Sequence, residues 1–514
     1  MRKPSRPWSR RSAAIAAVLL LPLVGIGARA KADETLTLNK VVERAVSGNP
    51  DLRRERINVD TQAAQIESAL GFFDVNLTGD FTFSQSTRPS LGAQDIQAGS
   101  NNSLNFDFDI RRNLETGGKF DLGFSGSRST TNQALICGTL STSTVNCNVY
   151  GTTLSLNFTQ PLLRGFGPSF ALANLHKQTI ERDQALLNRQ MRASNVLRDV
   201  INTYWGLAYA TQFLAIQNSA VDLAREQLRV TKAQIDVGRS APVDAAAVER
   251  AISDRLQAVV QAQQDLNFRG LDLKRLLGAP VNPGDAIIVA ADAPQASGPE
   301  KIEVVGEISR AVASNPQLKS LKLGMKLSDI DIQTALSALR PQLDFVGSIG
   351  STGRKRDLND SLSQMVGFEA RTWSAGLQFG LPVQNRIAGG QERVARLAGE
   401  KALLEAGDFE IELRYQAQRL ATQIQSAAQR VELAKQTVGF ANQALEAEKA
   451  RFSVGRSTNN EVLRVQQDLK NAEIQVVSAT VDLLVAQTTL RALTGDLLDH
   501  YRLTLKGIEG PAER

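Results

Sequence analysis

The first half of the chain contains four stretches in which apolar and polar residues alternate with period two. Val75, Leu77, Phe81 and Phe83 alternate with Asn76, Thr78, Asp80, Thr82 and Ser84. Leu104, Phe106, Phe108 and Ile110 alternate with Asn105, Asp107, Asp109 and Arg111, and Phe120, Leu122 and Phe124, then Leu154, Leu156 and Phe158, continue the pattern. Two such runs occur in the second half: Leu343, Phe345 and Ile349, then Trp373, Ala375, Leu377, Phe379 and Leu381. This alternation predicts strands with one apolar and one polar face. Each run approaches the ~9–11 residues of a tilted membrane-spanning strand. A soluble sandwich with one face in its core shows the same alternation, so period alone does not separate the two. Thr116-Gly117-Gly118, within 113–118, predicts a hairpin turn joining 103–111 to 118–127. The polar stretches 86–101, 128–149 and 351–370 are expected to be loops at the outer end. The count stays open at four strands per chain, or six if the extra hairpin joins the barrel.

Between these runs the period changes to that of a helix. From Pro168 to Asp236 there is no further proline and a single glycine, Gly206. At ~1.5 Å per residue such a helix reaches roughly 100 Å, too long for a globule. Its counterpart runs from about Gly389 to Ser453. Phe213, Ile216, Ala220, Leu223 and Val230, then Val248, Ile252, Leu256 and Val259 on the returning arm, recur at steps that predict a narrow coiled-coil seam. Val237-Gly238-Arg239-Ser240 and Val454-Gly455-Arg456-Ser457 form the hairpin tips, with glycine able to end one helix and a hydroxyl or acid able to start the next.

The chain reads as written twice. Ala45-Val46-Ser47-Gly48-Asn49-Pro50-Asp51-Leu52 recurs as Ala311-Val312-Ala313-Ser314-Asn315-Pro316-Gln317-Leu318. Leu273-Lys274-Arg275-Leu276-Leu277-Gly278 recurs as Leu490-Arg491-Ala492-Leu493-Thr494-Gly495, at the same shift as the two tips and a smaller one than the Asn-Pro turns. The first copy therefore carries the extra residues, between 77 and 237. The expected division is a signal peptide at 1–32; a first repeat at 33–280, with strands about 74–160 and a helical hairpin about 168–278; a linker at 281–299, rich in Pro, Gly, Ala and Asp; a second repeat at 300–500, with strands about 341–382 and a hairpin about 389–495; and a tail at 501–514.

Composition narrows the class. Aromatics are 5% of 514 residues, with 3 Trp, which argues against a large aromatic core. The net charge of +6 comes from interspersed Arg, Glu and Asp, which leaves no nucleic-acid footprint. Arg2, Lys3, Arg6, Arg10 and Arg11, the apolar run Ala13–Val24 and a small-x-small site at Ala28–Ala30 or Ala30–Ala32 form a secretory signal. Beyond it no apolar run of spanning length is expected, so membrane entry requires a closed barrel. Cys137 and Cys147, in a Thr/Ser/Asn-rich stretch of an exported chain, are disulfide candidates; metal binding is not expected. No P-loop, H-E-x-x-H or G-x-S-x-G motif is present, so no enzyme and no cofactor is expected.

These strands, paired long hairpins with Val-Gly tips, the Asn-Pro helix and the duplication together resemble the TolC-like outer-membrane efflux proteins, over roughly residues 36–505. Gln160-Pro161-Leu162-Leu163-Arg164-Gly165 resembles that family's strand-to-helix exit, and Pro382 marks the equivalent place in the second copy. The resemblance implies a mixed α/β membrane protein: a homotrimer closing one transmembrane β-barrel in outer-membrane lipid, continued by a long α-helical coiled-coil barrel across the periplasm. It implies that the tips (Val237, Gly238, Arg239, Ser240, Val454, Gly455, Arg456 and Ser457) dock a periplasmic adaptor, the membrane fusion protein, linked to an inner-membrane pump. Substrate then leaves passively, in a tripartite efflux pump or a type I secretion system. The family's acidic gate positions carry over to Asp244 and Glu461. A second acidic position falls at Arg464, which departs from that pattern. Arg239 or Arg456 is expected to pair with Asp244 or Glu461 and hold the tips shut. The competing reading is a coiled-coil envelope spacer anchored by a barrel, without transport.

Overall fold

The computed structural model describes residues 34–91, 96–131, 147–282, 286–295 and 303–503. The signal segment, Cys137 and the tail beyond 503 lie outside them. In chain order the elements are β1 (Glu34–Leu36), α1 (Leu38–Gly48), α2 (Pro50–Leu70), β2 (Asn76–Leu91), β3 (Ile96–Asn113), β4 (Lys119–Thr131), β5 (Cys147–Pro161), α3 (Pro168–Ala171), α4 (Ala173–Asp236), α5 (Pro242–Leu276), β6 (Ile288–Ala290), α6 (Val304–Ser314), α7 (Pro316–Leu339), β7 (Gln342–Lys355), α8 (Leu358–Val366), β8 (Arg371–Gly380), α9 (Arg386–Ser453), α10 (Asn459–Thr494) and α11 (Leu497–His500).

All six alternating runs enter one antiparallel sheet, in the order β2-β3-β4-β5-β7-β8. The hairpin whose place was open, β3–β4, is therefore part of it. The register brings Leu77 opposite Ile110, Phe108 opposite Phe124, Leu122 opposite Leu156, Ile349 opposite Trp373 and Phe345 opposite Leu377. Opposed residues share a face, so one side of the sheet is apolar across all six strands. The other carries Asp80 opposite Asp107, Arg111 opposite Asp121, and Ser348 opposite Ser374.

Three expected loops are shortened from their ends, while 92–95 and 132–146 lie outside the described residues. β2 runs to Leu91 and β3 starts at Ile96, β4 reaches Thr131 and β5 starts at Cys147, and β7 extends to Lys355 before α8 forms. Polar side chains do not end a strand whose backbone still has a partner: Leu91 remains opposite Ile96 and Thr131 opposite Cys147. α8 is started by Asp357, whose carboxylate accepts from the backbone N–H of Asn359 at 2.9 Å and of Asp360 at 3.4 Å. Cys147 is disulfide-bonded.

The 281–299 linker holds a strand. β6 pairs in parallel with β1, Leu36 opposite Ala290. Tyr204 of α4 clamps this pair to the helices. It is fully buried, its hydroxyl lies 2.8 Å from the Asp292 carboxylate and 3.0 Å from the Leu36 carbonyl, and Asp292 Oδ2 also accepts from the Leu38 N–H at 2.8 Å. Burial pushes the Tyr204 pKa well above the usual phenol range, so the hydroxyl stays a donor. Around it Val41, Val42, Leu197, Ile201, Leu207, Leu273 and Leu497 form the largest core cluster.

The long hairpins are α4–α5 and α9–α10. The seam of the first differs from the expected apolar stripe. Of the expected seam Ala220 and Val248 are buried, and Gln217, Val221, Ala224, Gln227 and Thr231 are buried with them, whereas Phe213, Ile216, Leu223, Val230, Ile252 and Val259 are only half-buried and Leu256 is exposed. Small and hydrogen-bonding residues take the deepest positions because helices flank α4 on more than one side and approach it closely. α10 also corrects an expectation: it contains a stretch apolar enough by composition to cross a membrane, with a mean hydropathy of 1.3. Leu483, Ala486 and Leu490 pack instead on Ile424, Ala427 and Val431 of α9.

Candidate functional site

Both helical tips close the same way. After α4, the Gly238 N–H donates to the Ile235 carbonyl at 2.9 Å and the Arg239 N–H to Gln234 at 2.8 Å. After α9, the Gly455 N–H donates to Phe452 at 3.1 Å and the Arg456 N–H to Arg451 at 2.9 Å. Gly238 and Gly455 have φ of 73° and 75°, the left-handed conformation this double-bonded helix end demands. Val237 and Val454 stand exposed beside them.

Asp244 and Glu461 occupy equivalent places in the first turn of the returning helices. Asp244 accepts from the backbone N–H of Ala241 at 3.1 Å and so caps its own helix. The Glu461 N–H donates to Thr458 Oγ1 at 3.3 Å, so a threonine hydroxyl rather than the acid caps this helix. Arg464, one turn on, donates from Nε to both Glu461 oxygens, at 3.2 and 3.1 Å, and from Nη1 to Asp468 at 3.2 Å. Arg464 therefore neutralises the candidate gate acid within its own chain. Its hydrogen bonds hold the Glu461 pKa below the usual carboxylate range.

The expected pairing of Arg239 or Arg456 with Asp244 or Glu461 is not formed in the chain: one acid serves the helix cap and the other Arg464. Ser240 Oγ donates to Gln234 Oε1 at 3.2 Å. Ser457 Oγ bonds Glu448, a buried acid that also pairs with Arg451 at 3.4 Å.

A polar lock ties the second tip to the first hairpin, and sequence reasoning missed it. Asn459, the first residue of α10, is buried. Its Oδ1 accepts from Gln227 Nε2 at 2.7 Å and lies 2.7 Å from Thr231 Oγ1, both on α4. Two turns further along α10, buried Gln466 accepts from Arg255 Nη1 at 3.1 Å, and the same nitrogen donates to the Ala220 carbonyl at 2.6 Å. Burial lowers the Arg255 pKa, and among the described residues no carboxylate is bonded to it. The available signal was Gln and Thr interrupting the small apolar residues of α4.

At the opposite end of the molecule the two-faced sheet leaves its outer surface bare. Phe81, Phe83, Leu77, Trp373, Leu377 and Phe379 are all at least 65% exposed. That is an apolar belt in need of a non-aqueous neighbour. The polar face carries Asp80, Asp107, Asp109 and Asp121, with Arg111 donating to Asp121 at 2.6 Å and to Asp109 at 3.1 Å.

A sheet with a lipid-type face and a water-type face, extended by slender helical hairpins, defines an outer-membrane channel architecture. The outer membrane efflux protein profile matches residues 118–279 and 308–496, and the chain belongs to that family. The outer membrane efflux protein BepC of Brucella suis is 23% identical over 348 residues, covering 67% of this chain and 72% of its own. The alkaline protease secretion protein AprF of Pseudomonas aeruginosa is 23% identical over 329 residues, covering 63% of this chain and 66% of its own. Among solved structures, the outer-membrane channel OprN superposes with a TM-score of 0.65 at 16% identity, over 91% of this chain and 93% of its own. The protein is located in the outer membrane and serves as an exit duct in efflux or type I secretion.

Proposed function

We propose that three copies of the chain assemble into one duct, each contributing a six-stranded sheet to a closed barrel and four long helical segments to a periplasmic tunnel. The observation that carries this is the sheet itself, which ends at β2 and β8 with no further strand beside either among the described residues. Open edges are not tolerated in lipid, and copies of the same chain supply the missing partners. A second apolar surface supports the reading: Ile387, Val394, Leu397, Leu404 and Ile411 lie exposed along α9, a stripe that a neighbouring copy would cover.

In this reading the internal repeat gives each chain two hairpins of one kind. The tips built on Val237–Ser240 and Val454–Ser457 engage a periplasmic adaptor, and an inner-membrane pump supplies the energy. Asp244, Glu461 and Arg464 line the narrow end. Substrate passes without chemistry in the duct.

The test is chemical crosslinking and planar-bilayer recording on the detergent-purified full chain. A crosslinked trimer with ohmic single-channel current is expected. A monomer that stays soluble without detergent, or a trimer that carries no current, sinks the duct.

A further inference from the structure

We propose that the outer rim of the barrel carries a binding site for the phosphorylated headgroup of an outer-leaflet glycolipid, built by Arg128, Lys355 and Arg371 around α8. The proposal rests on the reading of the sheet as membrane-spanning.

The register places these three cations on the apolar face. Arg128 of β4 continues the series Leu122, Phe124, Gly126 and lies opposite Tyr150. Tyr150 in turn lies opposite Lys355, which continues Phe345, Ile349, Ser351 and Gly353. Arg371 lies opposite Ser351 and precedes Trp373 in the outward series of β8. All three side chains are exposed, and all three sit toward the strand ends farthest from the long helical hairpins. None is in an ion pair among the described residues; Arg128 stacks its guanidinium 6.0 Å from the Tyr150 ring. At the helical end of the same face the described strands present one cation, Arg112. Outward charge is thus concentrated at one rim.

The floor between Lys355 and Arg371 is α8, which packs on this same outward face. Thr152 Oγ1 lies 3.0 Å from the Ser361 carbonyl, Ser351 Oγ donates to the Met365 carbonyl at 2.7 Å, and Ser361 and Met365 are buried against the sheet. Gly353 admits the helix: a Cβ there would come within 1.9 Å of the Ser361 carbonyl. Leu358, Val366 and Phe368 remain exposed on the helix and its exit turn, so the element presents apolar side chains at the level where the strands turn cationic. An amphipathic helix with flanking cations is the arrangement that binds a membrane interface with anionic headgroups. The acids of this segment, Asp357, Asp360 and Glu369, lie on the helix and its turns rather than on the strands, and the Asp357 carboxylate is used as the helix cap.

The experiment compares the intact protein in phosphatidylcholine vesicles doped with bisphosphorylated lipid A or with its dephosphorylated form, and counts glycolipid retained after detergent extraction by native mass spectrometry. Wild type is expected to retain the phosphorylated lipid. The R128Q/K355Q/R371Q variant should retain it on the order of tenfold to a hundredfold less, from about one unit of surface attraction per cation. Arg354→Gln, on the lumen side of the same rim, should retain it as wild type does. Equal retention of both lipids, equal retention by the triple variant, or displacement by inorganic phosphate at the lipid's own concentration overturns the site. Trimer formation and conductance are read on the same samples. Their loss in wild type would strike the duct reading, and their persistence with no lipid preference strikes this proposal alone.

Discussion

Asn49 and Asn315 make the same hydrogen bond in different halves of the chain. Asn49 Nδ2 donates to the Leu276 carbonyl at 2.7 Å and Asn315 Nδ2 to the Leu493 carbonyl at 3.0 Å, the ends of α5 and α10 respectively. Each asparagine also caps the helix that follows it, Asn49 Oδ1 accepting from the Asp51 N–H and Asn315 Oδ1 from the Leu318 N–H. Both side chains are buried, so truncation removes a cap and strands a carbonyl. Asn49→Ala and Asn315→Ala should each destabilise the helical part by about 1–3 kcal/mol. Thermal melts followed by helix circular dichroism should drop for both; a drop for one alone would mean the two turns are not equivalent.

The polar lock at Asn459 predicts a leakier duct when broken. Asn459→Ala leaves the buried Gln227 amide without its partner and Thr231 with only the Gln227 carbonyl, at a cost of about 1–3 kcal/mol to the contact between hairpins. Closed-state current in bilayers should rise, while the barrel and trimer persist. An unchanged closed current would show that this contact does not restrain the tip.

Glu461 predicts a pH response from its lowered pKa. A carboxylate depressed in the fold contributes stability above its unfolded value, about 4.3, and loses it as pH falls through the folded value. Cation block through Glu461 should therefore be constant from about pH 5 to pH 8 and fade only in stronger acid. Arg464→Gln releases the acid and should strengthen block by divalent cations; Glu461→Gln should abolish it. Block that titrates near neutrality would assign the gate to another group.

The polar face of the sheet, as the wall of the proposed duct, predicts cation selectivity. Asp80, Asp107, Asp109 and Asp121 share it with Arg111. Replacing Asp107 and Asp109 by Asn should move the reversal potential in a salt gradient toward zero, because rings of carboxylates set the charge preference of a wide pore. Asp80 sits opposite Asp107, so the change at 107 also relieves a like-charge pair, while the change at 109 removes one of the two acids bonded to Arg111. A shift toward stronger cation preference would contradict the assignment of that face to the lumen.

Much of this molecule was legible from local pattern. The period-two runs, the proline-free helices and the glycine tips each depend on backbone geometry within a few residues, and the alternation of Phe106 with Asp107 or Leu377 with Gln378 declares two unlike faces before any partner is known. Only the tertiary structure decided what those segments meet. It set the count of six by pairing the β3–β4 hairpin into the same sheet as the other runs. It bound β1 to β6 across more than 250 residues of chain and spent Glu461 on Arg464 rather than on a tip arginine. It seated α8 on the apolar face of the sheet, and it put Gln227 and Thr231 of one hairpin against Asn459 of the other. Periodicity reports which face of an element is apolar. It carries no record of which hydrogen-bonding groups come together in space, since that depends on close approach of chain segments far apart in sequence.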